Sequence, residues 1–541
     1  MTEIRTREAR EEDVEAIRQI FLETYGEDYP FQDFYDADWL KRAIYGDHIV
    51  MVVAEDPDNG TVVGTGSVNL DIGAHSDLVG ELGRLVVHPD ARGLGAGKAI
   101  MSRRIELIQN RLHLAVADNR TVHPYSQRIS KRFGFAPVGF LPLKYRFEDR
   151  ESVALFARHF GSGLTLRKNH PRIVPTVAPI AELAMSNLGM EVDVIIDESS
   201  PPYPRDDDFE LSQLESDRMP DLLRIERGRV RDRDVFGPMR LHYGFFMLQA
   251  RQANYLVARR PRGRSGGGAI AGGVGFLHDP IDRSIRLFEL IAGSDEVIVY
   301  LLGELLERAR ELEAEYIEVD VNAHGTRLQR TLLELGFLPA AYVPALAFHD
   351  VERLDAVRMV RLLVPAEVGD VALIDVVRPI FHVVMDAFRT RTVMPTIAAR
   401  IEDLAIFDGL SDEQARRLAA SLSVREYGAG EELFARGAPA EELFVLIRGE
   451  VEVLLSSSAR VGTVAEGGTV GENAMLSGAR HSASVQARGE VVAAVLTRDR
   501  LQELTARRPD IIVVVYRNLA AGLGEKLKEA DAALDRDNRS T

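Results

Sequence analysis

The apolar positions of residues 1–150 change period several times. Residues 9–25 carry helical spacing. Residues 48–54 and 62–70 are β-branched runs that read as strands, and 82–87 reads as a buried strand. Met101, Ile105, Ile108 and Leu112 recur at steps of three and four, which is one face of a helix. Leu114 and Val116 begin another strand, and 125–133 another helix. The alternation predicts an α/β domain over 1–150.

Residues 151–208 read as a structured extension that ends in a linker. The stretch 197–208 holds three prolines and a run of acids, which cannot pack a core. Residues 209–350 then repeat the first rhythm. The pattern predicts a helix over 211–226, strands over 255–258 and 270–277, a long helix over 296–312 and a strand over 316–321. A loop rich in glycine and arginine at 260–268 reads as a solvated hairpin tip. Both segments close alike, on Phe133-Gly134-Phe135 and on Leu335-Gly336-Phe337, an offset of 202 residues. That offset indicates an internal duplication. Residues 351–400 read as a helical connector with Val377, Phe381, Val384 and Phe388 on its buried stripe. From 401 the chain changes to an amphipathic helix and then short strands punctuated by glycine. A capping box of Ser411 and Gln414 opens that helix, and the pattern predicts a small β-roll over 401–541.

A chain of 541 residues exceeds one core and implies several domains. It contains no cysteine, which excludes disulfides, thiolate metal sites and a cysteine nucleophile; no metal site is expected. The net charge of −17 argues against a nucleic-acid partner, and it suits a cationic acceptor such as an amine. The N-terminus lacks the apolar segment of a signal peptide, and no run of about 18 apolar residues is present. The expectation is a cytoplasmic protein with no membrane association.

Arg92-Gly93-Leu94-Gly95-Ala96-Gly97-Lys98 lies between a predicted strand and a predicted helix. Free N–H groups and a positive dipole end make such a junction a cradle for pyrophosphate, although a tight turn without a ligand has the same spacing. The longer run from Leu82 through Leu85, Val86 and Val87 to Lys98, with Arg132-Phe133-Gly134-Phe135 downstream, resembles the GNAT superfamily of N-acetyltransferases. The resemblance covers about 3–150. It implies a mixed sheet splayed between two strands to admit acetyl-CoA, with the backbones of Leu85, Val86 and Val87 on the pantetheine arm and Arg92 to Lys98 around the pyrophosphate. Glu81 is the candidate base, or else a salt-bridge partner of Arg84. The family's tyrosine acid falls on Ser130, so Tyr125 or His123 would take that role, or the thiolate leaves unassisted. The matching junction of the second segment, Leu290 to Glu296, keeps one glycine and puts Asp295 and Glu296 where phosphate would lie. That segment reads as a degenerate copy with a structural role.

The run 430–453 and the cassette Gly471-Glu472-Asn473-Ala474-Met475-Leu476, continuing through Arg480, His481 and Ser482, resemble the cyclic nucleotide-binding domain family. The resemblance implies that Glu472 accepts from a ribose hydroxyl and that the short helix at 472–476 holds the cyclic phosphate. Its phosphate arginine falls on His481, with Arg480 just before. A terminal helix over 519–534 would close on the base or pair two subunits as a homodimer. The combined expectation is an acetyl-CoA-dependent N-acetyltransferase that acts on a small amine or a protein lysine and is regulated by cAMP or cGMP. The rival expectation is a non-enzymatic sensor or scaffold.

Overall fold

A computed structural model describes every residue except 1–3, 28, 71–72, 74–76, 229–232, 251, 262–267, 399–403, 420, 440, 457–458 and 540–541. Most of the loop expected at 260–268 lies outside the described residues, as does the expected domain start at 401. The chain divides into two compact units, Met1–Val384 and Met385–Thr541.

In the first unit, the strands of the first half are β1 (Arg5–Glu8), β2 (Ile49–Glu55), β3 (Val62–Asn69), β4 (Val79–Val87), β5 (Leu114–Arg120), β6 (Ala136–Arg146) and β7 (Arg150–His159). Its helices are α1 (Val14–Tyr25), α2 (Ala37–Tyr45), α3 (Ala96–Ile108) and α4 (Tyr125–Arg132). A short parallel pair, β8 (Arg172–Ile173) with β9 (Ile195–Ile196), and α5 (Ala178–Asn187) follow.

The second half contains β10 (Glu210–Gln213), α6 (Met219–Arg227), β11 (Val235–Phe236), α7 (Phe245–Ala250), β12 (Asn254–Arg259) and β13 (Ile270–Asp279). It continues through β14 (Ser284–Ala292), α8 (Glu296–Glu311), β15 (Tyr316–Asn322), α9 (Thr326–Glu334), β16 (Leu338–His349) and β17 (Glu352–Leu362). Helix α10 (Arg378–Ala398) follows.

One sheet runs through both halves, in the order β1-β2-β3-β4-β5-β7-β6-β16-β17-β15-β14-β13-β12-β10. Read from its two edges towards the middle, each half presents the same succession of strands. The halves meet where Ala341 of β16 pairs with Gly139 of β6. A Cβ on Gly139 would stand 2.2 Å from that of Ala341, so only glycine lets the two backbones approach there.

The sequence pattern missed both long hairpins. Residues 136–159 and 338–362 are strands buried nearly end to end, and near-continuous apolar runs give no period of two. The connector expected over 351–400 is therefore strand β17, irregular chain and α10. The helix expected over 211–226 is also corrected: Glu210–Gln213 pairs with β12, and the helix starts at Met219 with Pro220 in its first turn. The stretch 197–208 has no helix or strand and is mostly exposed, yet it is anchored at two buried residues, Asp197 and Tyr203. Asp197 accepts from Ser199, Ser200 and Thr326, and the buried Tyr203 donates its N–H to Thr331. Side-chain partners satisfy its polar groups, which the composition did not reveal.

The second unit holds α11 (Asp412–Ala419), β18 (Ser423–Tyr427), β19 (Glu432–Phe434), β20 (Glu442–Arg448), β21 (Val451–Ser456) and β22 (Ala459–Val464). It ends with β23 (Thr469–Val470), α12 (Glu472–Ser477), β24 (Ser484–Ala487), β25 (Val491–Thr497), α13 (Arg498–Arg507) and α14 (Pro509–Arg539). Two four-stranded sheets, β18-β25-β20-β23 and β19-β24-β21-β22, form the β-roll. The capping box is present: Ser411 and Gln414 exchange backbone-to-side-chain hydrogen bonds. Helix α14 starts ten residues earlier than the pattern suggested, at Pro509.

Candidate functional site

Strands β4 and β5 run parallel and pair only at Val79–Leu114, Gly80–Ala115 and Glu81–Val116. Beyond Glu81 they part, which opens a fork in the sheet. On the β3 side of β4 a bulge sets two residues, Arg84 and Leu85, against Gly66 alone. Arg84 sits there at φ 54°, a left-handed backbone costly for a side chain of its size. The buried Arg104 of α3 braces the bulge by donating to the carbonyls of Ser67 and Gly83. No carboxylate offsets its burial, which pushes its pKa down to about 9.

The loop after β4 carries Gly93 at φ 86° and Gly95 at φ 93°, and Gly95 is the residue that caps α3. A Cβ would meet nothing at either position, so backbone conformation alone selects glycine there. The N–H groups of Ala96 and Gly97 lie in the first turn of the helix, where no preceding carbonyl can take them. Arg92 and Lys98 are exposed beside them and pair with no carboxylate among the described residues.

The fork leads into a cleft of about 150 Å³ lined by Tyr25, Tyr29, Phe31, Tyr145 and Phe147, with Glu81, Arg84, Asp118, Arg120 and His123 between them. Glu81 accepts from Arg84 Nη1 at 2.9 Å. The Tyr145 hydroxyl donates to Asp118 Oδ2 at 2.7 Å, and Lys144 Nζ lies 3.0 Å from the same oxygen. Burial raises the Asp118 pKa, but Lys144, Arg358 and the Tyr145 hydroxyl together outweigh it and hold the carboxyl below its ordinary value. Glu318 of the second half reaches Lys144 at 3.3 Å.

The second half has the same parallel pair, β14 with β15, joined from Ser284–Tyr316 to Leu287–Val319. Its fork is filled by its own chain. Strand β11 enters it and pairs with β15 at Val235–Val321 and Phe236–Asp320. A Cβ on Gly237 would lie 2.3 Å from that of Phe288, so the segment is seated against the backbone of β14.

In the β-roll, Gly471 at φ 89° turns the chain into α12, whose first residue is Glu472. Glu472 is buried. One of its oxygens accepts from Lys526 of α14, and the other is enclosed without a partner. Lys526 also donates to the Thr469 carbonyl. His481 is buried and stacked on Phe434 at 3.9 Å between ring centroids, and burial lowers its pKa. Arg480 is exposed and donates to the Gly437 carbonyl.

Residues 14–135 match the acetyltransferase (GNAT) family, and residues 424–508 match the cyclic nucleotide-binding domain. The chain carries a GNAT domain and a cyclic nucleotide-binding domain. It is 32% identical over 138 residues to Glutaminase 2 of Bradyrhizobium diazoefficiens, covering 26% of this chain and 22% of that one. It is 32% identical over 90 residues to the cAMP-dependent protein kinase regulatory subunit of Mycosarcoma maydis, covering 16% of this chain and 17% of that one. The chain thus spans about a fifth of the length of these curated relatives. A GNAT superfamily phosphinothricin acetyltransferase from Sinorhizobium meliloti, solved with AcCoA, is 21% identical with a TM-score of 0.27, covering 30% of this chain and 90% of that one.

Within the GNAT domain the structure brings Glu81 and His123 into one cleft, His123 with a buried Nδ1 that has no partner. Burial lowers its pKa, which favours the neutral ring. Tyr125 begins α4, is 65% exposed and lies outside the cleft lining, with its ring 5.2 Å from that of His123. Ser130 is buried with its hydroxyl on Asn119 Oδ1, so it holds β5 to α4. Sequence reasoning missed Tyr145 and Asp118. Tyr145 was legible in the alternation Leu141, Leu143, Tyr145, Phe147, but Asp118 carried no signal without its partners.

In the cyclic nucleotide-binding domain, Gly471 and Glu472 stand at the mouth of α12, while Asn473 and Ser482 are exposed. The side chain of Ala474 lies outside the described residues. Arg480 is exposed as well, with Nη1 donating to the Gly437 carbonyl. Lys526 had no signal in the sequence, because a contact between residues 54 apart has none.

Proposed function

We propose that the first half is an N-acyltransferase that takes acetyl-CoA in the open fork. The observation that carries this is the fork beyond Glu81 leading to the N-terminus of α3, with its two left-handed glycines and two unpaired cations. Bound acetyl-CoA supplies a thioester-activated acetyl group. The backbone of Leu85, Val86 and Val87 is placed to hold the pantetheine arm, and the N–H groups of 93–97 with Arg92 and Lys98 to hold the pyrophosphate. Glu81 is the group placed to take a proton from the incoming amine, directly or through water. His123, whose unpartnered Nδ1 lies in the same cleft, would hold or pass a proton for the departing thiolate.

The β-roll sets that activity through a cyclic nucleotide, whose ribose must take Glu472 from Lys526. His481 cannot replace an arginine fork on the phosphate, so the pocket relies on Glu472 and the N–H groups of α12.

Calorimetric titration with acetyl-CoA, alone and with saturating cAMP, tests both parts. Binding altered by cAMP supports the whole reading. Binding indifferent to cAMP leaves an acyltransferase without that control. No binding favours the scaffold, a reading that the exposed Tyr125 and buried Ser130 support.

A further inference from the structure

The acceptor side of the cleft is built around Arg84. Glu81 occupies only its Nη1. Among the described residues Nε and Nη2 have no hydrogen-bond partner, and neither atom is sealed from the cleft. The guanidinium carbon stands over the Phe31 ring, 4.2 Å from its centroid, a cation–π contact that helps hold the side chain in place. The edge left open is the Nε–Nη2 edge, the one that matches two carboxylate oxygens side by side.

The setting strengthens this reading. Arg84 holds a left-handed backbone at the bulge, and strain of that kind persists where the surroundings over-determine it. Arg120 lines the same cleft, fastened to Glu151 through Nε and Nη2. The cleft thus presents cationic edges and aromatic walls, although the chain as a whole is acidic. Among the described residues the cleft's uncommitted polar groups include this two-nitrogen donor edge, beside the single atoms His123 Nδ1 and Ser126 Oγ. A purely cationic acceptor would face guanidinium there, whereas an amino acid would place its carboxylate on Arg84 and its amine towards Glu81.

We infer that the acceptor is a small α-amino acid with an apolar or aromatic side chain, whose carboxylate is taken by the Nε–Nη2 edge of Arg84. The inference rests on the acyltransferase reading above and names its substrate class. Glu81 keeps its bond to Nη1 while the acceptor is bound, so recognition and proton transfer use separate edges of one ion pair.

The test compares L-phenylalanine with 2-phenylethylamine, which differ by the carboxylate alone, and adds a lysine-bearing peptide. Calorimetry measures binding of each probe to the full chain in the presence of CoA, and thiol release measures turnover with acetyl-CoA. The expected result is at least ~30-fold preference for phenylalanine in kcat/KM. Arg84→Asn, which tolerates a left-handed backbone, should raise the phenylalanine KM about tenfold or more and abolish the preference. Arg84→Lys should restore binding only in part, because it keeps charge without the fork. Acetyl-CoA affinity within about twofold of wild type would show that both variants fold. Equal or better use of phenylethylamine, or turnover of the peptide alone, overturns the inference while the acyltransferase reading stands. Absence of acetyl-CoA binding by the wild type overturns both.

Discussion

The two halves of the large unit share a strand order but treat the fork differently. In both, a loop joins the first two helices, 26–36 in one and 228–244 in the other. In the first half that loop stays on one face of the sheet and lines the cleft with Tyr29 and Phe31. In the second it enters the fork as β11 and takes up the backbone groups of β15. The β4-facing edge of β5 thus has no strand partner beyond Val116, while the matching edge of β15 is paired through Val321. A ligand slot in this fold is decided by what one loop does with unpaired backbone, and strand order is indifferent to it. At the second junction Asp295 pairs with Arg327, so a carboxylate stands where the first half has its exposed cations.

The sharpest way to break the comparison is to remove the plug. Phe236 is 2% exposed, and Phe236→Ala should destabilise the unit by about 3–5 kcal/mol in denaturant unfolding. It should leave acetyl-CoA stoichiometry at one per chain. A second bound equivalent would mean that the second fork is a latent site, and the distinction drawn here would fail. The converse experiment closes the open fork. Gly95→Val puts a β-branched residue at φ 93°, and acetyl-CoA affinity should fall up to about 100-fold with little change in circular dichroism. Unchanged affinity would show that the loop does not carry the cofactor.

How much of this was readable in advance differs by element. The glycine loop, Glu81 and Glu472 were legible because local spacing dictates their backbone or position. The filled fork was not, since Val235 and Phe236 form a two-residue strand with no period to detect. The long hairpins failed for the opposite reason: burial on both faces erased the alternation. Arg84 was visible only as a possible partner of Glu81. Its significance depends on which nitrogens stay open, and Phe31, 53 positions away, helps hold that side chain in place. Net charge said nothing of the cleft, because −17 belongs to the whole chain, while the cleft is lined by Arg84, Arg104 and Arg120 together with Glu81 and Asp118.

A smaller effect tests whether the halves depend on each other. Asp282, in the turn between β13 and β14, accepts from the Arg146 N–H of β6 at 2.7 Å. Burial pushes its pKa up to about 6, against the Arg146 hydrogen bond and the Arg150 charge. The folded state therefore holds the proton more tightly than the unfolded chain. Its contribution to stability is full below about pH 4 and is lost as pH rises through about 6. Asp282→Asn lacks that dependence. The stability of wild type relative to the variant should fall by on the order of 2 kcal/mol between pH 4 and pH 7. A difference that stays flat with pH would mean that Asp282 is ionised throughout and that the seam is not proton-linked.

The β-roll offers a third degree of self-occupancy, between an open fork and one filled with strand. Its Glu472 is held by one lysine side chain that is 36% exposed. A strand built into a core cannot yield to a ligand without unfolding. A single ammonium can, because solvent screens it and its release costs little. Lys526→Ala leaves Glu472 buried without its counter-ion, which a ribose hydroxyl would then partly satisfy. The variant should melt earlier than wild type without nucleotide, and cAMP should narrow the gap. Its cAMP affinity should rise about fivefold, the size expected for losing a half-exposed competitor. Equal affinity in both proteins would mean that Lys526 and the nucleotide do not compete, and α14 would then be fixed in place as firmly as β11 is in its fork.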